Sequence, residues 1–125
     1  MAQQALSITP DGLELYSISL EDNSILCLDC VTNQDVAEIA APAITYLNST
    51  AMSRDGRILY VTVANELKAQ GLLYMLDTTT NQFVGKPVAF DHSYSDAVAM
   101  APDGKTLYTA DSAEGNVTVI TIGSQ

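Results

Sequence analysis

Apolar and polar residues alternate along most of this chain with a period of two, and no stretch carries the 3.6-residue period of an amphipathic helix. The alternation is cut into short runs. Runs rich in β-branched and aromatic residues at 13–19, 58–63 and 106–110 each follow an Asp-Gly pair, whose glycine supplies the positive φ of a tight hairpin. Shorter apolar runs at 5–8, 50–52 and 97–100 lead into those turns, and a third set at 24–29, 72–77 and 116–122 follows polar loops. After a Thr-Asn-Gln cluster a fourth set appears twice, at 36–40 and 83–89. The pattern predicts eleven strands joined as successive hairpins, an all-β chain.

The runs repeat. Asp11-Gly12, Asp55-Gly56 and Asp103-Gly104 are each followed after two residues by Leu-Tyr, and the aspartates are spaced 44 and 48 residues apart. A second register, Leu28-Asp29-Cys30-Val31-Thr32-Asn33-Gln34 against Leu76-Asp77-Thr78-Thr79-Thr80-Asn81-Gln82, is offset by 48. The four extra residues therefore fall in the polar segment 64–71, where an insertion costs little. A period in this range, built from four-stranded meanders, is that of β-propeller blades. Asp11, Gly12, Asp55, Gly56, Asp103 and Gly104 are expected to be structural, because the hairpin needs them.

Met100-Ala-Pro-Asp-Gly-Lys-Thr-Leu-Tyr-Thr-Ala-Asp111 and Met75-Leu-Asp-Thr-Thr-Thr-Asn81 resemble the repeat of the YVTN or lactonase-like propeller family over nearly the whole chain. Arg54 departs from the family's turn proline and Cys30 from its threonine. The resemblance implies one propeller-type domain over residues 1–125: a blade at about 5–41, a second at about 49–90, and a third at about 96–125 lacking its outer strand. It also implies a periplasmic or cell-surface setting, although the start MAQQALSITP has neither the basic nor the apolar region of an export signal. Family membership implies no single activity, since propellers host many unrelated functions. Rings of this architecture have four to eight blades. About 2.75 blades are an open arc, expected to join the remaining blades of a larger propeller or to self-associate, and two such arcs would make six.

Composition narrows the partners. Fifteen acidic against five basic residues leave a net charge of −10. With Arg54, Arg57, Lys68, Lys86 and Lys105 scattered, there is no basic patch for nucleic acid or an anionic membrane. No apolar run is long enough to insert in a membrane as a helix. Cys27 and Cys30 form a C-x-x-C, but three residues apart on a strand they point to opposite faces, beyond disulfide reach, and no second pair completes a zinc site. Two unbridged cysteines are expected, with no metal and no cofactor.

Candidate chemistry gathers in the connections between blades. Asp91, His92, Tyr94 and Asp96 bring the only histidine together with two carboxylates, and Tyr46 and Asn48 lie in the corresponding connection, 42–49, one blade earlier. These six are the candidate ligand-binding residues, for a protein, glycan or small molecule. A general base with an orienting acid is conceivable at 91–96. Short Ser- and Asp-rich loops are nonetheless ordinary turn chemistry, and no nucleophile or metal motif accompanies them. The reading is a non-catalytic binding or scaffold module. Its alternative is a fragment of a propeller enzyme, a lactonase-like hydrolase or an amine-dehydrogenase-like subunit.

Overall fold

A computed structural model describes residues 3–65, 70–89, 97–111 and 115–122, and none of them is helical. Eleven strands run in chain order: β1 (Gln3–Ile8), β2 (Glu14–Ser19), β3 (Ser24–Asp29), β4 (Gln34–Ala40), β5 (Thr45–Met52), β6 (Ile58–Asn65), β7 (Gln70–Asp77), β8 (Gln82–Ala89), β9 (Ala97–Met100), β10 (Thr106–Asp111) and β11 (Asn116–Thr121). They form three antiparallel meanders, β1 to β4, β5 to β8 and β9 to β11, each strand paired with its sequence neighbour.

The Asp-Gly turns are built alike in all three sheets. Gly12, Gly56 and Gly104 adopt φ of 74°, 79° and 73°. Each aspartate accepts the amide of the residue two ahead: Leu13 N–H to Asp11 at 2.9 Å, Arg57 N–H to Asp55 at 3.0 Å and Lys105 N–H to Asp103 at 2.8 Å. Hydroxyls add to the first two turns, Thr9 Oγ1 donating to Asp11 at 2.6 Å and Ser53 Oγ to Asp55 at 2.8 Å. These bonds favour the ionised carboxylate and hold both groups below the usual range: at Asp11 the Thr9 hydroxyl contributes most, at Asp55 the Arg57 amide.

Packing between sheets supplies the core. Tyr16, Ile18, Ile25 and Cys27 of the first sheet meet Leu47, Leu59, Val61, Val63 and Leu76 of the second. The opposite face of the second sheet, with Ala51, Tyr60 and Leu73, packs on Leu107 of the third, joined by Val98, Met100 and Ile120. The middle sheet is thus covered on both faces, and β6 reads as a continuous buried run from Leu59 to Val63. Among the described residues the end sheets are covered on one face only. Leu6 (67% exposed) and Ile8 (54%) mark the free face of the first sheet, and Tyr108 (44%), Val117 (67%) and Val119 (59%) that of the third.

The outermost strands β4 and β8 are largely exposed, Val36, Val84 and Val88 among their exposed residues. Pro87, which has no N–H to donate, sits in the edge strand β8 beside a register shift that includes Gly85 at φ 72°. Cys27 is buried and Cys30 partly so, both as free thiols. Burial pushes the Cys27 thiol up, away from the reactive thiolate.

Candidate functional site

Three innermost strands, one from each sheet, come side by side: β1, β5 and β9. Where they meet they wall a pocket of about 260 Å³, lined by Ala5 and Leu6 of β1, Asn48, Ser49 and Thr50 of β5, and Ala97 and Val98 of β9. The described lining carries hydroxyls and one amide, and no ionisable side chain.

Local irregularity shapes this lining. The β1/β2 register shifts between Gln4 and Leu6, and the β5/β6 register shifts between Leu47 and Ser49. A bulge of this kind leaves one residue outside the ladder and re-aims its side chain. Ala5, at φ 60°, is the extra residue in the first case and Asn48 in the second. Below the bulge the hydroxyls pair off: Ser7 Oγ and Thr50 Oγ1 lie 2.8 Å apart and join β1 to β5, while Ser49 Oγ bonds Thr62 Oγ1.

One connection expected as a loop is partly strand. Residues 42–49 were expected to carry Tyr46 and Asn48 on a loop, yet β5 begins at Thr45, so both belong to it. Thr45, Tyr46 and Leu47 pair with Asn65, Ala64 and Val63 of β6, and on their other side stands Asn23, in the turn between β2 and β3 at φ 50°. Its Nδ2 donates to Thr45 O at 2.7 Å, its Oδ1 accepts Leu47 N–H at 3.0 Å, and its own carbonyl accepts Ala41 N–H at 3.1 Å. The side chain behaves as one more residue of a strand beside β5 and extends the ladder. Thr45 Oγ1 closes the corner on Pro42 O at 2.6 Å. Tyr46 is 53% exposed, and Asn48 is half-buried at the pocket.

Asp91, His92, Tyr94 and Asp96 lie outside the described residues. Among the described residues no three or more His, Cys, Asp or Glu come together in a way that would hold a metal.

Sequence reading did not single out Asn23, Ser7, Ser49 or Thr50. Asn23 carries one signal in hindsight: Gly115, also at positive φ, precedes β11 as Asn23 precedes β3, so an Asn-or-Gly position opens the third strand. The hydroxyls carry none, because each becomes a partner only when one sheet stacks on the next.

Across sheets, Tyr16 Oη donates to Asn81 Oδ1 at 2.8 Å, linking β2 of the first sheet to the β7/β8 turn of the second. Burial drives the Tyr16 phenol well above its ordinary range, so it is a permanent donor. The Asp-Gly turns also touch. A methyl group on Gly56 would stand 2.6 Å from Cδ of Pro10, and one on Gly104 would stand 3.4 Å from Cβ of Arg54.

No family model matches the chain, and no curated protein matches it. Solved structures do. The "Kuenenia stuttgartiensis Hydrazine Synthase" structure superposes with a TM-score of 0.76 at 24% identity, over 94% of this chain and 32% of that one. The "Crystal Structure of Mitotic Checkpoint Complex" gives a TM-score of 0.76 at 16% identity, over 98% of this chain and 37% of that one. The chain spans about a third of the length of each. Both neighbours are propeller-type proteins, and with sheets of four, four and three strands stacked in sequence order this chain has the β-propeller blade fold, about 2.75 blades of it.

Proposed function

We propose that the chain is a non-catalytic binding or scaffold module of the YVTN-repeat kind, an arc of a propeller whose ring is completed by further blades. Its ligand, a protein segment, a glycan or a small molecule, contacts the mouth of the channel through Tyr46 and Asn48 and the segment holding Asp91, His92, Tyr94 and Asp96. The observation that carries this reading is the pocket walled by the inner strands of all three blades, lined by Asn48, Ser49 and Thr50 and by no ionisable group among its described residues. Such a lining suits recognition of neutral polar groups by hydrogen bonding. The resemblance to periplasmic and surface propellers fits extracellular partners of that chemistry.

The test is a titration followed by backbone amide shifts, with short acetylated peptides, mono- and oligosaccharides as probes. Shifts should cluster at residues 46–50 and be lost in Asn48→Leu. Hydrolysis of lactones or oxidation of amines above background, abolished by His92→Ala, would instead establish the enzyme-fragment reading.

A further inference from the structure

The joint between neighbouring blades occurs twice in the molecule, and its turn contact and its packed tyrosine recur at matching positions. From the first to the second blade, Pro10 presses on Gly56, Tyr16 bonds Asn81, and the Tyr16–Ile18 face of β2 meets Leu59–Val63 of β6. From the second to the third, Arg54 presses on Gly104 and Tyr60 packs with Leu107. The first joint therefore has a leading half, the turn residue and the tyrosine, and a receiving half, the turn glycine and the αL asparagine; the second repeats the turn contact and the packed tyrosine.

Both halves are left over, at opposite ends of the arc. On the third blade the leading half is Pro102 and Tyr108, with Val117 and Val119 at the β11 positions matching Ile25 and Cys27 of β3, all three apolar side chains substantially exposed. On the first blade the receiving half is Gly12 and Asn33. Gly12 has nothing within 4 Å of the place where the neighbour's turn residue presses on Gly56. Asn33 is exposed at φ 60°, the conformation Asn81 holds at φ 57° when it accepts Tyr16. Ile8, Leu15 and Leu28 stand where Met52, Leu59 and Leu76 stand in the second blade.

We infer that the occupant of these faces is a second copy of this chain, docked head to tail, with Pro102 on Gly12, Tyr108 Oη donating to Asn33 Oδ1, and Tyr108, Val117 and Val119 covering Ile8, Leu15 and Leu28. This rests on the reading of the chain as an arc of a larger ring, and it names the partner and the contacts. A joint that needs one leading and one receiving half is heterologous, and repeated at both ends by two three-sheet arcs it closes on itself as a six-bladed pair. The two ends fit because they are the halves of an interface the chain already makes internally.

Native mass spectrometry and sedimentation of four proteins test it. Wild type should be a two-chain species at about 10 µM, the two joints reinforcing one another. Val119→Asp spoils the leading half and Ile8→Asp the receiving half, and as both positions are exposed in the single chain, each variant should keep the wild-type circular dichroism and cooperative melt. Each alone should associate at least about 100-fold more weakly, since a charge is buried in an apolar contact. Mixed in equal amounts, they should form a one-to-one pair through the one intact joint. Tyr108→Phe should weaken the wild-type association by about 25-fold, the worth of one hydrogen bond of about 1 kcal/mol in each of the two joints.

A wild-type chain that stays single at that concentration, as it would if further blades of a longer polypeptide cover its ends, overturns the inference and leaves the ligand titration to decide the module reading independently. Persistence of the dimer in either variant alone, or failure of the mixture to pair, also overturns it, because either result means that the contact is not leading half to receiving half.

Discussion

Gly12 and Gly56 occupy the same turn position with φ of 74° and 79°, yet they do different work. A side chain at either is strained by the left-handed backbone, at a cost of about 1–2 kcal/mol. At Gly56 it also collides with the Pro10 ring, which cannot swing aside, whereas Gly12 faces open space. Gly12→Ala should therefore cost about 1 kcal/mol in the isolated chain and Gly56→Ala at least about 1 kcal/mol more, read from urea denaturation of both. Asp55 supports its turn by charge as well as shape. Its carboxyl is held below the ordinary range in the folded chain, so its contribution is present above the unfolded pKa of about 3.9 and lost as pH falls through the folded value. Stability should decline below about pH 4–5, and Asp55→Asn, which keeps the acceptor oxygen, should flatten that decline. Denaturation midpoints at a series of acidic pH values read this directly.

Among the elements, β5 shows how a side chain can stand in for a neighbouring strand. Its N-terminal residues Thr45 to Leu47 have one partner in β6 and the other in Asn23, which supplies both a donor and an acceptor. Without that amide the Leu47 N–H and Thr45 C=O would return to water or go unpaired. Asn23→Ala should cost about 2–3 kcal/mol, the sum of two hydrogen bonds and the strain of alanine at positive φ. Hydrogen exchange should locate the loss: the Leu47 amide should exchange faster than the rest of the sheet, and Asn23→Gly, which relieves the backbone but restores no bond, should recover only about 1 kcal/mol of stability and none of the protection.

At the scale of the molecule the dominant features are two apolar end faces and a net charge of −10. The faces favour association and the charge opposes it, since joining two copies brings two anionic bodies together. Salt screens the repulsion while leaving apolar burial intact, so association should strengthen by several-fold between about 20 and 300 mM salt, as the Debye length falls from roughly 20 Å to under 8 Å. A sedimentation series in sodium chloride checks it. Weakening with salt would mean that ion pairs, rather than Ile8, Tyr108 and Val119, hold the copies together.

The strand order, the hairpins and the blade period were legible in the residues alone because the bonds that make them are local. Asp55 reaches only to Ser53 and Arg57, and Asp11 to Thr9 and Leu13, so a short window contains the whole interaction. What tertiary structure decided are the contacts between blades. Asn23 to Leu47 spans 24 residues, Ser7 to Thr50 spans 43, and Tyr16 to Asn81 spans 65. Asn23, Ser7 and Thr50 look like ordinary turn or strand residues until one sheet is laid on the next. Within 42–49, β5 starts at Thr45 through pairing with β6 of its own blade, and the second partner of that start, Asn23, lies in the preceding blade. Hydrophobic patterning could say that each sheet must bury a face. Only the stacked structure says which turn glycine meets which turn residue, because that depends on how far each blade is rotated from its neighbour, a quantity that no short window of sequence contains.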